Sequence, residues 1–376
     1  MTGAAPIAFA LAAQLAAASP GADAWSVAEI GGVRGFTVGP IENGYHPGVG
    51  YGSPAYDRTL SEARAMGATW IALTPFGRAA DLSGTGVDFT FEAPFERNRR
   101  DVTRAVEMAH AHGLRVMLVP HLWVESGDWR ALIDPGSDAG WARWAESYGR
   151  FARAWAGVAE ASHVEMFSAG VELRSWVTTA HGASFTRLLH DLRRVYHGLL
   201  TYSANWDDVD QAVVLGDVDV IGINAFYPLE DVSGASEASM VEKARAVRAK
   251  VHELSTTWRK PVLFTEIGYT TRPDPALRPW EWPDGMTHVQ VDEAAQATAY
   301  RALIEPMLDE PDFAGFFVWR VYADPDDTSQ EAPWGFSPRG KQAELVVRDA
   351  FAARWACDPW WWTGRGDAAR VAGVYR

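Results

Sequence analysis

Two glutamates carry the chemistry this chain has to offer: Glu172 in "VEMFSAGVELRS" and Glu266 in "KPVLFTEIGY". Each closes a short apolar run. Removing an unpaired carboxylate from water is costly, so each needs polar partners, an opening to solvent, or both. Two carboxylates facing one another across an opening suit cleavage of a glycosidic bond. One must be protonated to release the leaving oxygen, and the other ionised to attack or stabilise the sugar carbon. A separation of about 5 to 5.5 Å permits covalent attack and retention of configuration, whereas a wider gap admits a water and inverts it. Both outcomes, and either placement of the proton, are open at this point. A buried ion pair is the plain alternative for either glutamate alone; two at strand ends weigh against it.

The elements that would position them recur along the chain. Apolar runs at Val33–Val38, Trp70–Thr74, Arg115–Val119, Val164–Ser168, Leu199–Tyr202, Val218–Ile223, Val262–Thr265 and Phe313–Trp319 read as eight strands. Amphipathic segments separate most of them. In "NRRDVTRAVEMAHAHG", Val102, Ala105, Val106 and Ala109 share a helical face and Gly113 ends it. Tyr56–Gly67 repeats the pattern before the second strand. Eight βα units with buried strands predict an α/β fold, a single (β/α)8 TIM barrel over residues 25–376. Glu172 then tops the fourth strand, with Met166, Ser168 and Gly170 at the same parity, and Glu266 tops the seventh.

Other side chains end strands on the same predicted face: His121 and Trp123 after the third, Asn205, Trp206 and Asp207 after the fifth, Asn224 and Tyr227 after the sixth, Trp319 on the eighth. Polar groups there suit sugar hydroxyls, and an indole suits the apolar face of a pyranose. Any one aromatic at a strand end is ordinary packing; repetition around one mouth is what points to a ligand. The Pro- and Trp-rich stretch Thr271–His288 directly follows Glu266 and reads as a cleft wall or a surface insertion.

Composition narrows the partners. A net charge of −14 without a long basic run argues against nucleic acid and anionic membranes. Eighteen tryptophans suit a core with a sugar-binding cleft. Cys357 is alone, so no internal disulfide forms. Residues 1–24, with an apolar stretch and an Ala-x-Ala site at Ala22–Ala24 but no basic start, read as a secretory signal or a disordered tail. The first reading implies a secreted or periplasmic protein, the second a cytoplasmic one. Nothing else approaches a membrane span.

Several motifs are set aside. "GVGYG" (Gly48–Gly52) lacks the leading strand of a dinucleotide loop. His110 and His112 stand two apart on a helix and do not face one metal. No HExxH or G-x-S-x-G occurs. Asp324, Asp326 and Asp327 lack the spacing of a calcium loop and read as an acidic turn.

Taken in order, "GLRVMLVPH", "GVEL", "LTYSANWDD", "VDVIGINAFYPL", "KPVLFTEIGY", "FFVWRVY" and "GFSPRGKQAE" resemble glycoside hydrolase family 113, the β-mannanase-like barrels of the large clan of retaining (β/α)8 glycosidases. The resemblance covers the chain from about Gly35 onward. It implies Glu172 as general acid/base, Glu266 as nucleophile, Tyr227 as a tyrosine bonded to the nucleophile, and Trp319 beneath the cleaved sugar. It also implies action on β-1,4-mannan or manno-oligosaccharides with no cofactor and no metal. Val171 stands where much of the clan has Asn, which leaves the sugar 2-hydroxyl to Asn205 or His121. Another β-glycan, or a silent glycan-binding barrel, are the competing readings.

Overall fold

The computed structural model describes residues 32–39, 48–91, 93–281, 290–326 and 335–357. The possible signal segment, residues 1–24, lies outside them, as does Asp327. Ten strands occur among the described residues: β1 (Val33–Gly39), β2 (Trp70–Leu73), β3 (Phe76–Ala79), β4 (Arg115–Leu118), β5 (His121–Val124), β6 (Met166–Val171), β7 (Leu199–Asn205), β8 (Val220–Asn224), β9 (Val262–Ile267) and β10 (Phe313–Tyr322). Eight of them close a parallel barrel in the order β1-β10-β9-β8-β7-β6-β4-β2. The expected single (β/α)8 barrel is therefore the fold.

The helices follow from local signals. Helix α1 (Pro54–Ala65) has Pro at its first position, and the Ser53 hydroxyl caps the Tyr56 amide. Helix α2 (Phe95–Ala111) buries Val102, Ala105, Val106 and Ala109, the stripe legible in the sequence. Gly113 follows it at φ +69°, a left-handed turn that glycine takes without strain. No described helix is long and apolar enough to cross a membrane.

Two strands beyond the eight apolar runs, β3 and β5, pair with each other outside the barrel. Pro75 and Pro120 precede them. A proline cannot donate to the ladder, so each ends a barrel strand, and the chain resumes as a separate two-stranded extension. Pairing continues across the break, since the His121 amide donates to the Pro75 carbonyl at 2.8 Å. This extension carries His121 upward from the barrel.

The barrel interior is an apolar plug of Val33, Trp70, Met117, Met166, Leu199 and Phe317 among others. Gly35 admits it: a Cβ there would lie 2.3 Å from the Phe317 ring. Outside, Trp355 of the C-terminal "WACDPWWW" stacks on Phe316 at 5.5 Å and 15°, beside the barrel. The parity expected for β6 fails. Its register slips between Ser168 and Val171, so Gly170 turns outward to Tyr148 and Phe185 while Val171 joins the interior plug. A bulge of this kind re-aims the residues that follow it.

Candidate active site

Glu172 lies immediately past the bulge, at φ +51°. Left-handed backbone is strained for a residue with a Cβ, and such strain gathers at functional positions. The amide of Glu172 still donates to the Ser203 carbonyl at 2.8 Å, which pins the turn to β7. Its side chain, 9% exposed, accepts three hydrogen bonds. Trp129 Nε1 and Arg130 Nη2 both donate to Oε2, at 2.8 and 2.9 Å, and Asn224 Nδ2 donates to Oε1 at 2.9 Å.

Glu266, the penultimate residue of β9, is only 6% exposed and stands in register with Asn224 on β8. Asn224 is oriented by Thr265, whose hydroxyl donates to its Oδ1 at 2.9 Å, so its amide group is fixed toward the carboxylates. The two glutamates therefore meet around one asparagine. Burial and then the neighbouring Glu172 charge push Glu266 up to about 8, against the pull of Arg130, an Asn224 hydrogen bond and Arg320. Like charges in a buried site do not both ionise easily, so Glu266 favours its protonated form near pH 7.

His121 completes this group. Its Nε2 lies 3.8 Å from Glu266 Oε1 and 3.4 Å from Arg130 Nη2. Burial, with Arg130 and Arg320, holds it well below 6.5, so the ring is neutral at pH 7. Trp319 lies 6.1 Å from the His121 ring and packs with Phe226, Phe336 and Trp206 into a small apolar cluster. Gly268 makes room, since a Cβ there would crowd Phe336 and Phe226.

Asn205 and Trp206 follow β7. Asn205 stands in register with Asn224 but donates to Asp207 at 2.6 Å. Asp207 and Asp208 both pair with Arg174, whose guanidinium covers the Trp129 ring at 4.8 Å. This second network thus braces a residue that holds Glu172. Trp206 stacks on Trp280 at 5.7 Å and 24°, so the loop after β9 folds onto the mouth as far as Glu281. Residues 282–288 of that stretch lie outside the described residues.

Tyr227, expected to bond Glu266, makes no hydrogen bond to it. Its hydroxyl is buried without a hydrogen-bond partner among the described residues, its ring meets Trp206 and Phe264, and Asp210 and Asp207 add to the burial that pushes it upward. The reason is parity: from Asn224, alternation brings Phe226 to the side of Trp319 and turns Tyr227 away. Sequence reasoning also missed Trp129, Arg130 and Arg320. The adjacent "WR" in the loop after the third barrel strand was the available signal.

The set-aside motifs have ordinary partners. His110 pairs with Glu165 and His112 with Asp57. Asp324 and Asp326 both meet Arg58. Tyr51 of the glycine-rich stretch donates to the Val38 carbonyl and accepts from the Thr74 amide.

A (β/α)8 barrel with two opposed glutamates at the end of its strands has the form of a glycoside hydrolase. The chain belongs to glycoside hydrolase family 113, whose model matches residues 46–340. A β-mannanase of that family, AaManA from Alicyclobacillus acidocaldarius, is 25% identical with a TM-score of 0.74, covering 87% of this chain and 99% of its own. A second family 113 β-1,4-mannanase is 23% identical with a TM-score of 0.72, covering 86% of this chain and 100% of its own. A family 5 mannosidase from Rhizomucor miehei shares the fold at 9% identity and a TM-score of 0.58, covering 87% of this chain and 96% of its own. No curated protein sequence matches the chain.

Proposed function

We propose that this glycoside hydrolase cleaves β-1,4-mannan or manno-oligosaccharides with retention, through a glycosyl-enzyme intermediate on Glu266 and with Glu172 as acid/base. The observation that carries the reading is the shared asparagine: Asn224 bonds Glu172 and stands in register with Glu266. A carboxylate pair joined by one asparagine can hold the single proton that double displacement needs on Glu172 once substrate is bound. Family membership and the β-mannanases among the structural neighbours support the sugar.

In the first step the Glu172 proton passes to the leaving glycosidic oxygen while Glu266 attacks C1. In the second, water gives its proton to Glu172 and displaces Glu266. Before substrate arrives, burial favours the proton on Glu266, with its value of about 8. The reaction therefore needs that proton to move from Glu266 to Glu172 as the sugar binds, so that Glu266 is ionised when it attacks. Developing positive charge at C1 then stabilises the ionised Glu266 further. Trp319, Phe226 and Phe336 offer an apolar wall for the ring being cleaved, and His121 and Asn205 offer polar groups for its hydroxyls.

The deciding experiment is hydrolysis of a panel of β-mannan, glucomannan, β-glucan and galactan, with the anomer of the first product followed by NMR. Release of a β-anomer from mannan supports the reading. An α-anomer sinks the retaining mechanism, and cleavage of galactan or β-glucan without mannan sinks the substrate.

A further inference from the structure

Arg130 is a buried cation that the sequence did not single out and that the two-glutamate reaction does not by itself require. It opens a short 3-10 turn, Arg130–Leu132, in the loop after β5. Its side chain is only 12% exposed, and Nη2 lies 2.9 Å from Glu172 Oε2 and 3.4 Å from His121 Nε2. Burying a guanidinium is costly unless it is paired, so this placement needs a counter-charge. The turn is held from several sides. Trp129 is bonded to the same Glu172 oxygen and covered by Arg174, and the Ser175 hydroxyl donates to the Ile133 carbonyl at 2.5 Å. Arg130 is therefore fixed rather than reaching in from solvent.

We propose that Arg130 is a positioning residue for the reaction proposed above: it holds Glu172 in place and stabilises the negative charge that appears there when Glu172 gives up its proton. The proposal rests on the retaining β-mannoside reading. In the first step the Glu172 O–H bond breaks as the new O–H bond forms on the leaving oxygen. The electron pair left on Glu172 then faces the guanidinium at Oε2, with Asn224 on Oε1. In the second step the same carboxylate, still held, takes a proton from water.

The other groups facing the pair do not replace this cation. His121 from β5 is neutral. Arg320 from β10 acts on His121 and Glu266 and donates to the Tyr322 hydroxyl, not to Glu172. Arg174 is engaged by Asp207 and Asp208. Tyr148 and Tyr202, which pack nearby, are pushed far upward by burial and stay neutral. Arg130 alone donates a charged hydrogen bond to Glu172 among the described residues.

The test compares wild type, Arg130→Met and Arg130→Lys on two substrates: mannopentaose, whose leaving group needs protonation, and 2,4-dinitrophenyl β-mannobioside, whose leaving group does not. Loss of the stabilising donor is expected to lower kcat/KM about 100-fold for the first and less than about 5-fold for the second. The alkaline limb of kcat/KM on mannopentaose should move upward by about one pH unit in Arg130→Met and return toward wild type in Arg130→Lys. Equal losses on both substrates with an unmoved alkaline limb overturn the proposal and leave Arg130 a purely structural role. Melting temperature against pH reads the pair without turnover: the deficit of Arg130→Met should grow between pH 6 and pH 9, and a constant deficit counts against the proposal. If wild type cleaves neither substrate while that pH-dependent deficit appears, the substrate reading fails and the electrostatic role of Arg130 stands.

Discussion

Asn224 donates to Glu172 at 2.9 Å from the strand beside the one that carries Glu266. Its other amide atom is occupied by the Thr265 hydroxyl, so the side chain has one orientation that satisfies all partners. Asn224→Ala should lower kcat/KM by about 10- to 100-fold and destabilise the fold by about 1–3 kcal/mol, because it leaves a buried hydroxyl unpaired. Steady-state kinetics and urea denaturation measure the two effects. Activity within twofold of wild type would remove Asn224 from the site.

Under the proposed mechanism, Glu266→Ala should lower turnover by at least about four orders of magnitude, because it removes the proposed nucleophile. Azide should then rescue it with an α-mannosyl azide as product. Glu172→Ala should be rescued on the dinitrophenyl substrate with a β-mannosyl azide. Exchanged products would exchange the two roles.

The proton shared by the pair sets the pH range. Glu266 is raised from its ordinary 4.5 to about 8. Activity should therefore fall as pH rises through about 8, where the pair loses the proton needed for the leaving group. Stability has the same direction. Between the two values the native state holds a proton that the unfolded chain has released, so stability is greatest below 4.5 and declines toward 8, by a ceiling of about 5 kcal/mol. Glu266→Gln should raise the melting temperature at pH 8 and give a smaller gain at pH 5. A uniform gain across pH would contradict this origin.

Two tryptophans flank the site with exposed rings. Trp280 is 48% exposed and stacked on Trp206; Trp123 is 37% exposed, with its ring 6.0 Å from that of His121. Trp280→Ala and Trp123→Ala should each raise KM for mannan about 5- to 20-fold, in keeping with the loss of one aromatic contact. The KM for the dinitrophenyl mannobioside should change less. Comparable changes on both substrates would confine the rings to structural roles.

What the sequence made legible follows from periodicity. The eight apolar runs alternate with helical stripes, and that pattern alone specifies the barrel and places both glutamates at strand ends. Period-two alternation failed at β6, where the bulge after Ser168 swaps Gly170 and Val171 between faces. From Asn224 the same alternation leads to Phe226 and not Tyr227. Arg130 and Trp129 were invisible for a different reason. They reach Glu172 from a loop 42 and 43 residues earlier in the chain, and no local rule pairs a loop arginine with a strand-end carboxylate. The extension of β3 and β5 was hidden by Pro75 and Pro120, which read as stops.

The positive φ of Glu172 sets the thermodynamic optimum of that position against its task. A residue without a Cβ would occupy the same turn with about 1 kcal/mol less strain. Glycine there should consequently give a hardier protein than alanine does, while both fall below the native chain because each leaves the buried Arg130 guanidinium without its counter-charge.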